Sequence, residues 1–401
     1  MQAPRNALGD DLRPRFFLVD DRVSLHPRPP RLGRSVRVAG RSLAGMQKEA
    51  LVADSWSGRC WRLVSDEGPD LNGHDEAPFP LAFLTAGLLA SYATEITALA
   101  AQRGLSAIGI GLTVDSRYTM SGSLLRGTML GGALQPELTV TGLPAGVGSL
   151  VAEAVAGAAV SGLVRGSAEG LFTVSRNGDP VSPGRVGRVP GPAEPDPWAV
   201  FESDEVRSGV VPAPHVRQPL VELSDPAGAG PPAGSPDGQP GPGFAVVQDR
   251  TLLVHGTCML RADGVKELEL SLVRPVGATF RMLSDEGEGP GDAGRAPSAL
   301  AYVAAGLAFC FMTQMGRYAT IARKRLDGYR IVQDIDFSLD GASGGTGRAG
   351  AAGAVETHVH LDTPEDDDFV RRLVDMGEQT CFLHALCRTG LTTRVRGGAW
   401  T

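Results

Sequence analysis

The segment Trp61-Arg62-Leu63-Val64-Ser65-Asp66-Glu67-Gly68 returns as Phe280-Arg281-Met282-Leu283-Ser284-Asp285-Glu286-Gly287, at the offset that carries Ser65 to Ser284. At the same offset Gly45 meets Gly264, Ala77-Pro78 meets Ala296-Pro297, and Ala86-Gly87-Leu88 meets Ala305-Gly306-Leu307. After one insertion the matches continue, with Pro144 against Pro364 and Gly170-Leu171 against Gly390-Leu391. Chance does not hold so steady a register from Gly45 to Leu171, and the chain reads as two copies of one domain. The copies are assigned to residues 34–178 and 244–401, with an arm at 1–33 and a linker at 179–243.

Composition supports this division. Between Asp225 and Gly243 most positions are Pro or Gly, which leaves too few side chains to build a core. Trp198 to Val211 is apolar enough to dock on a domain, and the arm carries one apolar patch at Phe16 to Val19. A net charge of −7 argues against a general nucleic-acid binder, which needs a basic face to displace counterions from phosphates. The polar N-terminus lacks a signal-like apolar core. Five cysteines without a dense framework suit a reducing compartment, so a soluble cytoplasmic protein is expected, bound to neither nucleic acid nor membrane.

Each copy has the same order of elements. Strand-like segments such as Thr251 to Leu260 and Val265 to Val273 flank a turn at Ala262-Asp263-Gly264. A long, nearly all-apolar helix follows, about Pro80 to Gln102 in one copy and Ser298 to Arg325 in the other. Two strands and a last helix, about Glu365 to Cys387, close the second copy. A helix apolar on every side must be covered on every side, which a domain of about 150 residues cannot do alone. The expected fold is therefore α+β: two domains clasped into an intramolecular pseudo-dimer, with long buried central helices against antiparallel sheets.

Cys310 falls on the second apolar helix and Cys381 on the last helix. Their counterparts in the first copy are Ser91 and Ser161, so both thiols are replaced together. The helix with Ala305-Gly306-Leu307-Ala308-Phe309-Cys310-Phe311, the second cysteine at this spacing and the Ser-Asp-Glu-Gly loop resemble the OsmC / organic hydroperoxide resistance (Ohr) family. The resemblance covers about 35–175 and 250–397. It implies an intertwined α+β dimer whose thiol peroxidase reduces organic hydroperoxides, with no bound cofactor or metal and an external dithiol such as dihydrolipoamide as reductant. Carried over, Cys310 is the peroxidatic and Cys381 the resolving cysteine. Arg41, in Ala39-Gly40-Arg41, and Arg261 are the candidate activating arginines, and Glu286 the candidate carboxylate. Two positions depart from the family pattern: Ser298 stands where the family has Glu after the helix-opening Pro, and Phe382 where Pro often follows the second cysteine. Alternative readings are an enzyme of this type specialised for a biosynthetic small-molecule thiol or redox transformation, and a non-catalytic module for an apolar ligand.

Other motifs carry less. His358 and His360 share one face of a strand, short of a metal site without a third ligand. His384, three residues past Cys381, shares its helix face and is read first as packing. Cys387, six residues past Cys381 on one helix, lies roughly 9 Å away along the axis, beyond disulfide reach. Cys60 and Cys258 are read as structural, Glu365 to Asp368 as a solvated helix start.

Overall fold

The computed structural model describes residues 6–19, 23–107, 109–143, 148–166, 168–207, 218–226, 241–287, 289–292 and 294–396. In each half the first hairpin follows one local rule. Strands Gly33–Ser42 and Lys48–Asp54 pair around Gly45, and Val247–Leu260 and Lys266–Arg274 around Gly264. Both glycines hold positive φ, +59° and +85°, a conformation that side chains with a Cβ avoid. A third strand follows in register, placing Lys48 opposite Ser65 and Lys266 opposite Ser284. The Ser65 hydroxyl then donates to the Pro78 carbonyl at 2.8 Å, and Ser284 to that of Pro297 at 3.0 Å.

The strands assemble into two sheets with one plan. The first runs Phe17–Leu18, Arg59–Ser65, Lys48–Asp54, Gly33–Ser42, Gly328–Ser338, Val355–Asp362, Gly170–Arg176, Gly187–Arg188, with Asp179–Val181 beside Gly170–Arg176. The second runs Val221–Asp225, Thr279–Ser284, Lys266–Arg274, Val247–Leu260, Gly111–Ser123, Glu137–Thr141, Arg394–Arg396, with Leu130–Ala133 beside Gly111–Ser123. The order corresponds position by position, and each sheet takes its hairpin from one half and its next strand from the other. The seam is antiparallel in both, and a parallel pair recurs toward the far edge of each.

The helices are α1 (Pro80–Gln102), α2 (Gly148–Gly157), α3 (Ala159–Arg165), two one-turn helices α4 (Trp198–Phe201) and α5 (Asp204–Arg207), α6 (Ala299–Ala322), α7 (Asp367–Thr380) and α8 (Phe382–Thr389). Helices α1 and α6 are long and apolar enough to cross a membrane, yet they pack on each other between the sheets. Helix α6 lies on the first sheet and α1 on the second. Their crossing is tight at the matched glycines. A Cβ on Gly87 would sit 2.3 Å from Val303 Cγ2 and 2.8 Å from the Ala299 carbonyl oxygen; one on Gly306 would meet the Leu84 nitrogen at 3.0 Å.

Three expectations need correction. The linker's Asp179–Val181, Gly187–Arg188 and Val221–Asp225 are strands of the two sheets; its apolar stretch from Trp198 docks as expected, with Phe201 and Val206 of α4 and α5 buried against Phe17, Leu51 and Cys60. The Pro/Gly run between Asp225 and Gly243 lies largely outside the described residues. The arm's Phe17–Leu18 is an edge strand of the first sheet, and Phe16 packs 5.8 Å from the Phe83 ring. The last helix is broken: Cys381 has extended backbone, φ −70° and ψ 119°, ending α7 and starting α8.

Candidate functional site

Helix periodicity aligns Cys310, Thr313, Gln314 and Arg317 along one stripe of α6, since residues three, four and seven apart share a face. The stripe forms one wall of a cavity with Leu81 at the start of α1, the loop from Glu67 to Leu71, Leu252, Leu272 and Phe382. Residues of both halves are needed, because α6 packs on the sheet whose Ser65-Asp66-Glu67-Gly68 loop comes from the first half.

Cys310 and Cys381 are both buried, free thiols near enough to couple electrostatically. The break at Cys381 makes this approach possible. It also frees the first N–H groups of α8, and that of Leu383 favours the Cys310 thiolate. Burial, then the Cys381 thiol and the Glu67 carboxylate, push the Cys310 thiol well above its ordinary range, and the Leu383 N–H only partly opposes them. At rest the sulfur is protonated.

The basic group that feels the Cys310 sulfur is Lys48. Strand alternation decides this. Arg41 lies across the hairpin from Glu49 and pairs with it at 2.7 Å and with Glu202 at 3.1 Å, its guanidinium over the Phe201 ring. Glu49 is fully buried and bound by Arg62 as well. Gly40, the neighbour of Arg41, faces Met312 of α6, and Lys48, next to Glu49, shares that inner side. The fully buried Lys48 side-chain nitrogen lies 3.8 Å from Glu67 and donates to the Met46 carbonyl. Burial pulls its pKa down, while Glu67, Asp66 and the Cys310 sulfur pull it up. Glu67 accepts from the Thr313 hydroxyl at 2.6 Å, and burial raises its carboxyl.

Two further expectations are corrected here. Arg261 lies at the rim of its turn, paired with Asp263 at 3.1 Å, and like Arg41 does not line the Cys310 cavity. Glu286 lines the other cavity, with Ser91 and Glu95, where it accepts from the Ala299 N–H at 2.8 Å. The reason is the strand exchange: the loop of the second half covers α1, and the loop of the first half covers α6. Ser298 caps α6 and bonds Arg34 and Asp54, on the Ser91 side. Lys48-Glu49 and Lys266-Glu267 do repeat in the sequence, but one position out of step with the Ser65-to-Ser284 register, so a search at that register passes over them.

The remaining thiols are quiet: burial pushes Cys60, Cys258 and Cys387 up to about 12. His384 is buried between the rings of Phe172 and Phe311, at 5.8 and 5.5 Å, and burial lowers it to about 4. His358 has two carboxylates near it, Glu194 and Asp334. Arg37 bonds both, at 2.8 and 2.9 Å, and the Glu194 N–H donates to His358 Nδ1 at 3.2 Å. A guanidinium thus takes the place a cation would fill.

Residues 289–396 match the family model of OsmC-like protein. This OsmC-like segment is about a quarter of the chain and contains both Cys310 and Cys381. Among solved structures, an OsmC-like hydroperoxide resistance protein from Jannaschia sp. CCS1 is similar at 24% identity, covering 30% of this chain and 75% of that one, with a TM-score of 0.19. None of the curated proteins matches.

Proposed function

We propose that the chain is a thiol-dependent hydroperoxide reductase with one redox centre, Cys310 with Cys381, built on a fused pseudo-dimer of two OsmC-like halves. The observation that carries this reading is the pair of coupled thiols at the helix break, Cys310 lining an apolar cavity whose Glu67 holds a buried lysine. The OsmC-like match over 289–396 supports it.

Lys48, whose ammonium form burial disfavours, takes the Cys310 proton as substrate fills the cavity, and the Leu383 N–H steadies the thiolate. The thiolate attacks one oxygen of ROOH, the O–O bond breaks, and the leaving alkoxide recovers the proton from Lys48 as ROH. Cys310 is left as a sulfenic acid. The Cys381 thiol condenses with it, releasing water and forming a disulfide that blocks further oxidation. A dithiol, dihydrolipoamide-like by the family resemblance, exchanges with the disulfide and restores both thiols.

The test is consumption of cumene hydroperoxide by the full-length protein with a dithiol. Turnover, with a Cys310–Cys381 disulfide found by mass spectrometry after stoichiometric peroxide, is the expected result. Unchanged turnover in Cys310→Ser would sink the proposal.

A further inference from the structure

Two turns beyond Cys310, the cavity wall holds a cation with no ion-pair partner among the described residues. Arg317 is buried, 1% exposed. Its Nε donates to the Gly243 carbonyl at 2.6 Å, and its Nη1 meets Gln314 Oε1 at 3.3 Å and the sulfurs of Met120 and Met129 at 3.2 and 3.4 Å. Its Nη2 has no hydrogen-bond partner, and Arg317 has no ion-pair partner among the described residues. A buried guanidinium in this state is costly, because desolvation is offset only by good pairing. The fold does not require it, since the matched position on α1 is Ala98. Arg250, also lining the cavity, is neutralised by Asp70 at 2.7 Å. The surplus at this end is therefore one positive charge.

Resting on the hydroperoxide reading above, we infer that the substrate is an apolar monoanion whose carboxylate pairs with Arg317 while its peroxide group reaches Cys310. Seven residues along a helix span about 10 Å, so the two ends of the substrate lie about that far apart, across the apolar wall of Leu81, Leu252 and Phe382. A single charge suits a carboxylate better than a dianionic phosphate. Arg317 is a specificity residue on this account. It binds the end of the substrate that does not react.

Binding is measured by calorimetry on full-length Cys310→Ser, where no turnover intervenes, with dodecanoate and its methyl ester. Dodecanoate is expected to bind on the order of tenfold tighter, the scale of a charge-assisted pair. Adding Arg317→Met, close in shape and apolar, should erase the difference, and Arg317→Lys should keep part of it. Equal binding of acid and ester, or a preference that survives Arg317→Met, overturns the inference. If Arg317→Met does not melt cooperatively, the comparison of Arg317→Lys with the parent decides. A persisting acid preference in a protein that consumes no hydroperoxide leaves the carboxylate site standing and removes the peroxidase. Normal turnover of cumene hydroperoxide with no acid preference does the reverse.

Discussion

Around Cys310 and around Ser91 the same elements meet in the same order: a central helix, the start of the other central helix, and a Ser-Asp-Glu-Gly loop from the opposite half. Thr313 and Thr94, Gln314 and Glu95, and Glu67 and Glu286 occupy matched positions. The polar groups are used differently. In the Ser91 cavity Glu95 is bound by the Ala342 and Ser343 N–H groups at 2.8 and 3.3 Å, and Glu286 by the Ala299 N–H and by Arg34. There the carboxylates brace loops. In the Cys310 cavity Glu67 holds Thr313 and Lys48, and an arginine nitrogen and two thiols stay unspent. One scaffold thus yields a closed polar network in one place and chemical capacity in the other, through a few side chains.

The comparison breaks most visibly at the sulfur itself. Cys310→Ser, which makes the two helix positions alike, is expected to abolish hydroperoxide turnover, while Ser91→Ala leaves it at the wild-type rate. Loss of activity in Ser91→Ala, read in the same dithiol-coupled assay, would show that both cavities work. Next come the matched lysines. Lys48→Met should slow peroxide oxidation of Cys310 by about 100-fold, the usual weight of a positioned acid–base group, with Lys266→Met near wild type. Stopped-flow thiol loss distinguishes them, and equal effects would deny Lys48 its role.

His384 and its counterpart Val164 sharpen the comparison through pH. His384 titrates at about 4 in the folded protein and about 6.5 unfolded. The unfolded chain therefore binds this proton first as pH falls, and stability is lost between about 6.5 and 4, by about 3 kcal/mol. His384→Val should flatten that acid limb in denaturant titrations; an unchanged limb means other groups produce it. The matched glycines give the smallest effect. Gly87→Ala should cost about 1–3 kcal/mol by overpacking, since backbone at Ala299 stands in the way. Gly306→Ala, with looser contacts, gains about 1 kcal/mol of helix propensity and should come out near neutral. Thermal melts that rank them the other way would move the tight point of the crossing.

Much of this was legible beforehand. The apolar run bounded α1 at Pro80–Gln102 as expected, and Gly264 announced its turn. The arm and linker strands were not legible, because segments as short as Phe17–Leu18 and Gly187–Arg188 carry too few residues for a period. The helix break at Cys381 has no Pro or Gly to signal it. Arg41 looked like the activating cation until Glu49, buried and in need of charge, was seen to claim it.

What each element must bury can be read from the chain alone: two helices apolar all round, hairpins turning at glycine, thiols at Cys310 and Cys381 and hydroxyls at Ser91 and Ser161. These follow from local periodicity and residue chemistry, which any window of the chain displays. Which half serves which is settled by long-range pairing, visible in the folded molecule and nowhere else. Gly33–Ser42 finds Gly328–Ser338 from near the other end of the chain and leaves no periodic trace, because a half-buried strand edge fits any partner of the right length and pattern. That pairing carries Glu67 and Lys48 to Cys310 and takes Glu286 to Ser91.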